Sequence, residues 1–441
     1  MKIDFDELTN QARLHRFYSK YGKVAEVVGL IIKATGLEVF VGEICEVQVK
    51  NSHKVALTEV VGFVKDTVLL MPLDDLEGIG PGCIVRATKK TLQVKVSDVL
   101  LGHTLDGLGR PFDLSDVDTS SLVDYPVMQD SPDPFRRQPI TNIMSTGIRA
   151  IDGLLTVGEG QRIGIFVGSG VRKSTPLGMI AKYCQADVIV VGLIGERGRE
   201  VLEFIQKDLG EGYQKSVVVC ATSDMPPLVR LKGAHTATAI AEYFRDQGKK
   251  VVLMMDSVTR FAMAQREIGL SIGEPPTTKG YTPSVFAELP KLLERSGMSD
   301  KGSITAFYTV LVDGDDMNEP IADAVRGILD GHIILSRKIA AQNHYPAIDV
   351  QTSLSRLMKG LVSEQQSKDA SALRENLAAY ADAKDLIDIG AYKNGSNAVT
   401  DFAIKVHHPI DSFLKQEVSE YSSYEETVTK LHQLFDQTSV L

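Results

Sequence analysis

The feature that most constrains this chain is a series of short, wholly apolar runs separated by helical stretches. The runs are RIGIFV (162–167), ADVIVVGLIG (186–195), SVVVCAT (216–222), KKVVLMMDS (249–257), SITAFYTVLV (303–312) and GHIILS (331–336). Between them lie helical patterns such as REVLEFIQKDLG and TATAIAEYFRDQG. A strand with no polar alternation has no solvent face. Continuous apolar strands alternating with helices therefore predict an α/β architecture, a parallel sheet covered on both faces.

The first run leads into GIFVGSGVRKSTPLGMI (164–180). Its glycine-rich turn holds Gly168, Ser169, Gly170, Val171 and Arg172, then Lys173, Ser174 and Thr175 open a helix. Successive backbone N–H groups at a helix N-terminus can wrap a phosphate. In such loops the lysine reaches the outer phosphates and the next hydroxyl holds Mg²⁺. The strict spacing asks for glycine at 167 and 172, where Val167 and Arg172 stand, so the turn alone is a weak signal. A second run, VVLMMDS, ends in Asp256, a residue type suited to the water shell of Mg²⁺. The pair is far more specific than either half. VGLIGERGREV places Glu196 at another strand end, where a carboxylate can orient an attacking water or merely join an ion network. HYPAIDVQTSLSRLM supplies Tyr345, able to stack on a purine, and Arg356, able to neutralise transition-state charge. Taken singly, these two read better as packing and surface residues.

The remaining chain divides by pattern. Residues 1–20 carry Leu8, Leu14 and Phe17 on one helical side, as a capping helix or a docking arm. Residues 21–97 hold short β-rich runs at even spacing, which predicts a small closed β-barrel. LLGHTLDGLGRPFD (100–113) reads as turns entering an α/β domain of residues 98–362. SPDPFRRQPI (131–140) reads as an ordered strap, and residues 363–441 as an all-helical domain. Lys and Arg number 48 against 57 Asp and Glu, a net charge of −9, which argues against a nucleic-acid partner. The four cysteines form no CxxC pair and read as buried apolar side chains. No secretory h-region and no apolar run long enough to span a bilayer are visible, so a cytoplasmic protein is expected.

Longer stretches carry a family. LLTVGEGQRIGIF, IGERGREVLEFI, MMDSVTRFAMAQREIGLSIGEPPTTKGYTPSVFAELPKLLERSG and TAFYTVLVDGDDMNEPIADAVRGILDGHIILSR resemble the flagellar and type III secretion export ATPases. These are relatives of the catalytic β subunit of rotary F-type ATP synthase. YGKVAEVVGLII and DLIDIGAYKNGSN favour the flagellar branch. The resemblance implies a RecA-like P-loop core with an N-terminal β-barrel and a C-terminal helical domain. It implies a homohexamer hydrolysing ATP with Mg²⁺ at subunit interfaces. Lys173 and Ser174 match the phosphate-loop lysine and the Mg²⁺ hydroxyl. Glu196 matches the water-activating carboxylate, Arg197 a γ-phosphate contact, and Asp256 the second acid of the magnesium site, acting through water. Tyr345 matches the adenine platform and Arg356 the arginine finger given to the neighbouring subunit. The implied partners are a stator-like regulator at the N-terminal region, a coiled-coil stalk protein in the pore, export chaperones with their substrates, and the membrane export gate. That role places the protein in the cytoplasm, peripherally at the inner face of the membrane.

Arg172 departs from this pattern most. Its position normally needs φ > 0 or close backbone approach to phosphate, which glycine allows freely. Arginine there costs about 1–2 kcal/mol in backbone strain, so weakened ATP binding or slowed turnover is expected. Pro176, in the first helical turn, is milder because its missing N–H has no intrahelical acceptor. Two alternatives follow: a nucleotide-binding subunit that does not hydrolyse, disfavoured by Glu196, and an RNA-stimulated hexameric helicase, disfavoured by the acidic pI of about 5.6.

Overall fold

The computed structural model describes residues 21–50, 52–112, 119–168, 170–171 and 173–436. The expected helix over residues 1–20, Ser169 and Arg172 lie outside the described residues. The chain divides into two compact units. One runs to Gln93 and includes Ile268–Glu274; the other takes Val94–Glu267 and the residues from Pro275 onward.

In the first unit six strands close into an antiparallel barrel. They are β1 (Tyr21–Val28), β2 (Ile31–Thr35), β3 (Glu43–Gln48), β4 (Val55–Val64), β5 (Thr67–Pro72) and β6 (Ile84–Thr91), ordered β1-β2-β5-β4-β3-β6. Val24, Ile32, Ala34, Val47, Val60, Leu70 and Val85 point inward and fill it. Register breaks in β1, β3 and β4 supply the sharp bends that so small a barrel needs.

β7 (Gln93–Val96) leads into the second unit, where it pairs with β9 (Val123–Pro126). The main sheet there holds nine strands among the described residues: β8 (His103–Asp106), β10 (Arg162–Val167), β11 (Val188–Ile194), β12 (Ser216–Ala221), β13 (Lys250–Asp256), β14 (Gly297–Met298), β15 (Ser303–Leu311), β16 (Gly331–Leu335) and β17 (Leu354–Ser355). Its order is β17-β16-β10-β15-β13-β11-β12-β8, with β14 on β15. All neighbours are parallel except β14 and β17. The apolar runs account for β10 to β13, β15 and β16. The segment LLGHTLDGLGRPFD corrects the sequence reading, since His103–Asp106 is an edge strand parallel to β12 and not a series of turns. Four residues with a single buried side chain, Leu105, leave no apolar run to read.

Twelve α-helices surround the sheet among the described residues: α1 (Arg149–Leu154), α2 (Ser174–Tyr183), α3 (Gly198–Glu203), α4 (Pro227–Asp246), α5 (Val258–Ser271), α6 (Pro283–Leu293), α7 (Pro320–Ile328), α8 (Arg337–Ala341), α9 (Met358–Leu361), α10 (Glu364–Asp388), α11 (Ala398–Leu414) and α12 (Tyr424–Asp436). α4 covers β11, β12 and β13 on one face. On the other, Met179 and Ile180 of α2 meet Ile163, Ile165, Ile189 and Val191 of the sheet. REVLEFIQKDLG, which reads as one helix, is three pieces: α3, a π-helical turn at Phe204–Leu209 and a 3-10 stretch from Gly210. The wider π turn brings Phe204 and Leu209, five residues apart, to one buried side.

The three C-terminal helices belong to the second unit. Leu373, Val406, Phe413 and Leu431 join Ile151 and Leu154 of α1 in the sheet's own core. Arg149 donates to the Phe413 carbonyl at 2.8 Å and pairs with Glu420. At the far end of α2, the Tyr183 hydroxyl donates to the Val418 carbonyl at 2.9 Å and the ring lies 5.4 Å from that of Tyr421.

Candidate functional site

In an open parallel sheet the strands all point one way, so their following loops collect at one edge, which is where such sheets bind ligands. Three chemistry-bearing groups of this chain end up there. β10 ends at Val167 and runs through the glycine-rich turn into Lys173 and α2. β11 ends at Ile194, two residues before Glu196, and β13 ends on Asp256 itself. β15 lies between β10 and β13, so Thr309 sits under the other groups.

The Lys173 Nζ lies 2.6 Å from Glu196 Oε1 and 2.9 Å from Asp256 Oδ1. The Thr309 hydroxyl donates to the same Oδ1 at 2.7 Å and makes a second contact of 3.0 Å with the Met255 carbonyl. Glu196 and Asp256 are buried. Burial pushes the Glu196 carboxyl up, the Asp256 charge adds to that, and Lys173 pulls against both, leaving it at about 7. Burial also disfavours the Lys173 ammonium, but its two carboxylate partners more than offset this and hold it above its ordinary value. The cluster opens on a cleft of about 560 Å³ lined also by Gly168, Gly170, Val171 and Ser174.

The local sequence explains the shape of the turn. Gly170 has φ of +87°, a conformation L side chains avoid. A Cβ on Gly168 would collide with Asp315 and Arg337. Ser174 begins α2 at the cleft wall, where a first helical turn leaves N–H groups without intrahelical acceptors.

Other expected site residues lie elsewhere. Thr175 follows Ser174 in α2 and is half-buried, but does not line the cleft. Arg197 precedes α3, is exposed and stands 3.6 Å from Glu200. Tyr345 is half-buried against the main core, its carbonyl accepting from the Gln416 N–H at 2.9 Å. Arg356 follows β17 at the sheet edge, exposed, and donates to the Arg326 carbonyl at 3.2 Å.

Sequence reasoning missed four residues around the cluster. Glu200 lines the same cleft and adds to the upward push on the Glu196 carboxyl. Thr309 holds Asp256. Asp208 lines the cleft, its carboxyl pushed up by burial while Ser174 pulls the other way. Arg260 lays its stem along Gly195, and its Nε is buried without a hydrogen-bond partner. Only Glu200 carried a signal, one helical turn after Glu196.

No three of the described His, Cys, Asp and Glu side chains form a cage for a metal ion. The oxygen donors present, the Ser174 hydroxyl and the carboxylates of Asp256 and Glu196, nevertheless suit Mg²⁺. That hard cation is commonly held by one or two carboxylates together with substrate phosphates and water.

Residues 147–355 match the nucleotide-binding domain of the ATP synthase alpha/beta family, residues 24–89 its beta-barrel domain, and residues 362–433 the T3SS EscN ATPase C-terminal domain. The flagellum-specific ATP synthase of Bacillus subtilis is 54% identical over 98% of both chains. The type 3 secretion system ATPase of Xanthomonas euvesicatoria is 52% identical over 95% of this chain and 94% of its own. The assembled ATPase EscN from the enteropathogenic E. coli type III secretion system superposes with a TM-score of 0.89 at 46% identity, covering 94% of this chain and 99% of that one. EscN with its central stalk EscO gives a TM-score of 0.86 at 46% identity over the same shares. The Lys173–Glu196–Asp256 cluster thus sits in a chain that belongs to the flagellum-specific and type 3 secretion ATPases of the ATP synthase alpha/beta family.

Proposed function

We propose that this chain hydrolyses Mg-ATP to help unload chaperone–substrate complexes and feed them into a flagellar export apparatus. The observation that carries the reading is the Lys173 ammonium held between Glu196 and Asp256 at the loop edge of the sheet. On ATP binding, Lys173 moves from the carboxylates to the outer phosphates, joined by backbone N–H groups of the turn and the start of α2. Glu196 is then free to orient a water and take its proton. With Lys173 still beside it, burial and the Asp256 charge already hold that carboxyl above the ordinary carboxylate range, which suits a proton acceptor. The water oxygen attacks the γ-phosphorus, the bond to the bridging β-phosphate oxygen breaks, and ADP and phosphate leave. Ser174, and Asp256 through water, would hold Mg²⁺, which when bound would supply charge neutralisation for the phosphates. Tyr345 stacks on adenine and Arg197 turns to the γ-phosphate. Arg356 reaches the site of a neighbouring copy, which suits its exposure outside the chain's own cleft.

In this reading the chain works as a homohexamer with a coiled-coil stalk in its pore, supported by the assembled and stalk-bound EscN structures. Residues 1–20 hold a stator-like regulator. The hexamer stays in the cytoplasm and meets the export gate peripherally; no described helix is long and apolar enough to cross a membrane. Arg172 slows turnover without removing the rest of the machinery. The test is steady-state phosphate release against Glu196→Gln, which is expected to lose about 10²–10⁴-fold. Equal rates in the two proteins would overturn hydrolysis and favour a non-hydrolysing subunit.

A further inference from the structure

The loop that carries Tyr345 is tied down in two ways. Its base is closed locally. The Asn343 and His344 N–H groups bond back to the Ala340 and Ile339 carbonyls of α8 at 3.0 and 3.4 Å, and the Ser336 N–H donates to the Ala347 carbonyl at 2.9 Å. Its tip is held by a distant part of the chain. The buried His344 ring places Nδ1 3.0 Å from Asp411 Oδ1, in the last turn of α11. Next to it, the Tyr345 carbonyl accepts from the Gln416 N–H at 2.9 Å. Asp411 is itself steadied, since its Oδ2 lies 3.0 Å from Lys415 Nζ. A carboxylate has no hydrogen to give, so His344 Nδ1 must carry the one they share, which fixes the ring's tautomer and its direction.

The same segment reaches the helix of the phosphate turn. Gln416 accepts from the Arg149 N–H at 2.8 Å and donates to the Gly147 carbonyl at 2.7 Å. The Tyr183 hydroxyl, at the far end of α2, donates to the Val418 carbonyl at 2.9 Å. Residues 411–418 therefore join the Tyr345 loop to the end of α2 opposite Lys173 and Ser174. A ring that must be ordered when its ligand arrives loses affinity to that ordering, and one already held in place does not. From this arrangement we infer that His344 and Asp411 are positioning residues for the base end of the nucleotide site, their hydrogen bond holding the loop tip, and with it the Tyr345 ring, at a set place relative to α2. The inference rests on the reading of Tyr345 as the adenine platform.

The test uses the full chain and two probes, Mg-ADP and Mg-pyrophosphate, titrated by calorimetry. Pyrophosphate needs the phosphate turn but has no base, so it also reports whether a variant keeps a folded cleft. His344→Ala and Asp411→Ala are each expected to weaken Mg-ADP by about 3–10-fold with pyrophosphate unchanged. The double variant should be no weaker than either single one. His344→Asn, which keeps an amide N–H near the place of Nδ1, should recover most of the loss. The inference is overturned if Mg-ADP binding is unchanged in His344→Ala, if ADP and pyrophosphate weaken alike, or if the two single losses add. Tyr345→Ala separates this from the platform reading. It should weaken Mg-ADP by about 5-fold or more, and His344→Ala should add nothing to it. A Tyr345→Ala chain that binds Mg-ADP as wild type does would overturn the platform reading and this inference with it. A loss in Tyr345→Ala with none in His344→Ala would overturn the inference alone.

Discussion

Glu242→Gln should be among the most destabilising single changes in the second unit, although it sits away from the cleft. Glu242 on α4 and Arg295, just after α6, each expose 1% of their side chains. The guanidinium donates to both carboxylate oxygens, at 2.9 and 2.5 Å. It also donates to the Val127 carbonyl at 3.0 Å and faces His235 Nδ1 at 3.2 Å. Burial and this arginine hold His235 well below its ordinary value, so it is neutral and brings no second charge. Glutamine keeps the shape but leaves the guanidinium buried among neutral acceptors. Breaking a buried pair from one side costs about 3–5 kcal/mol. Arg295→Met should cost a similar amount, since it strands the carboxylate and the Val127 carbonyl together. The double variant Glu242→Leu/Arg295→Met leaves no buried charge and strands two neutral acceptors, that carbonyl and His235 Nδ1, at about 1–3 kcal/mol each. The double change should therefore cost clearly less than the two single changes added together. The chain has no tryptophan, so urea unfolding is best followed by far-UV circular dichroism. A double variant whose loss equals the sum of the two singles would refute the reasoning.

Four further outcomes are expected. Arg172→Gly should raise the steady-state rate of phosphate release, and an unchanged rate would show that the arginine costs nothing. Gly195→Ala should destabilise by about 1–3 kcal/mol and depress turnover, because φ is +68° and a Cβ would stand 2.8 Å from that of Arg260; a thermal melt and a phosphate assay read both effects. Arg356→Ala and Glu196→Gln should each be inactive alone yet regain activity when mixed, since some interfaces then pair an intact finger with an intact carboxylate; no recovery would place Arg356 outside the neighbour's site. Glu420 is pushed up by burial, but Arg149 outweighs that and holds its carboxyl below the ordinary range. A depressed carboxyl stabilises the fold above its unfolded value and loses that contribution as pH falls through the folded one. The stability gap between wild type and Glu420→Gln should therefore be open at pH 7 and close in acid, as read by urea midpoints across pH.

What the sequence disclosed follows from what is local. β11 and β13 are legible because their buried positions are apolar up to Asp256, and Glu196 and Asp256 stand out because they follow such runs. Parallel strands carry those ends to one edge, so the central cluster can be anticipated without coordinates. β8 is not legible, because pairing to β12 makes it a strand and its own four residues do not. Thr309, Asp208 and Arg260 are ordinary residues in ordinary stretches. They reach the site only through the sheet order, the π turn and the closeness of Gly195, all of which are tertiary.

The anchoring of α2 at both ends has a mechanical consequence. Ten helical residues make a stiff rod about 15 Å long. One end carries Lys173 and Ser174, and the other is bolted through Tyr183 to Val418 and Tyr421. An axial push on the first end has little compliance to absorb it. The load is delivered to the segment joining α11 and α12, so filling and emptying the phosphate turn tugs on the C-terminal helices through a single strut.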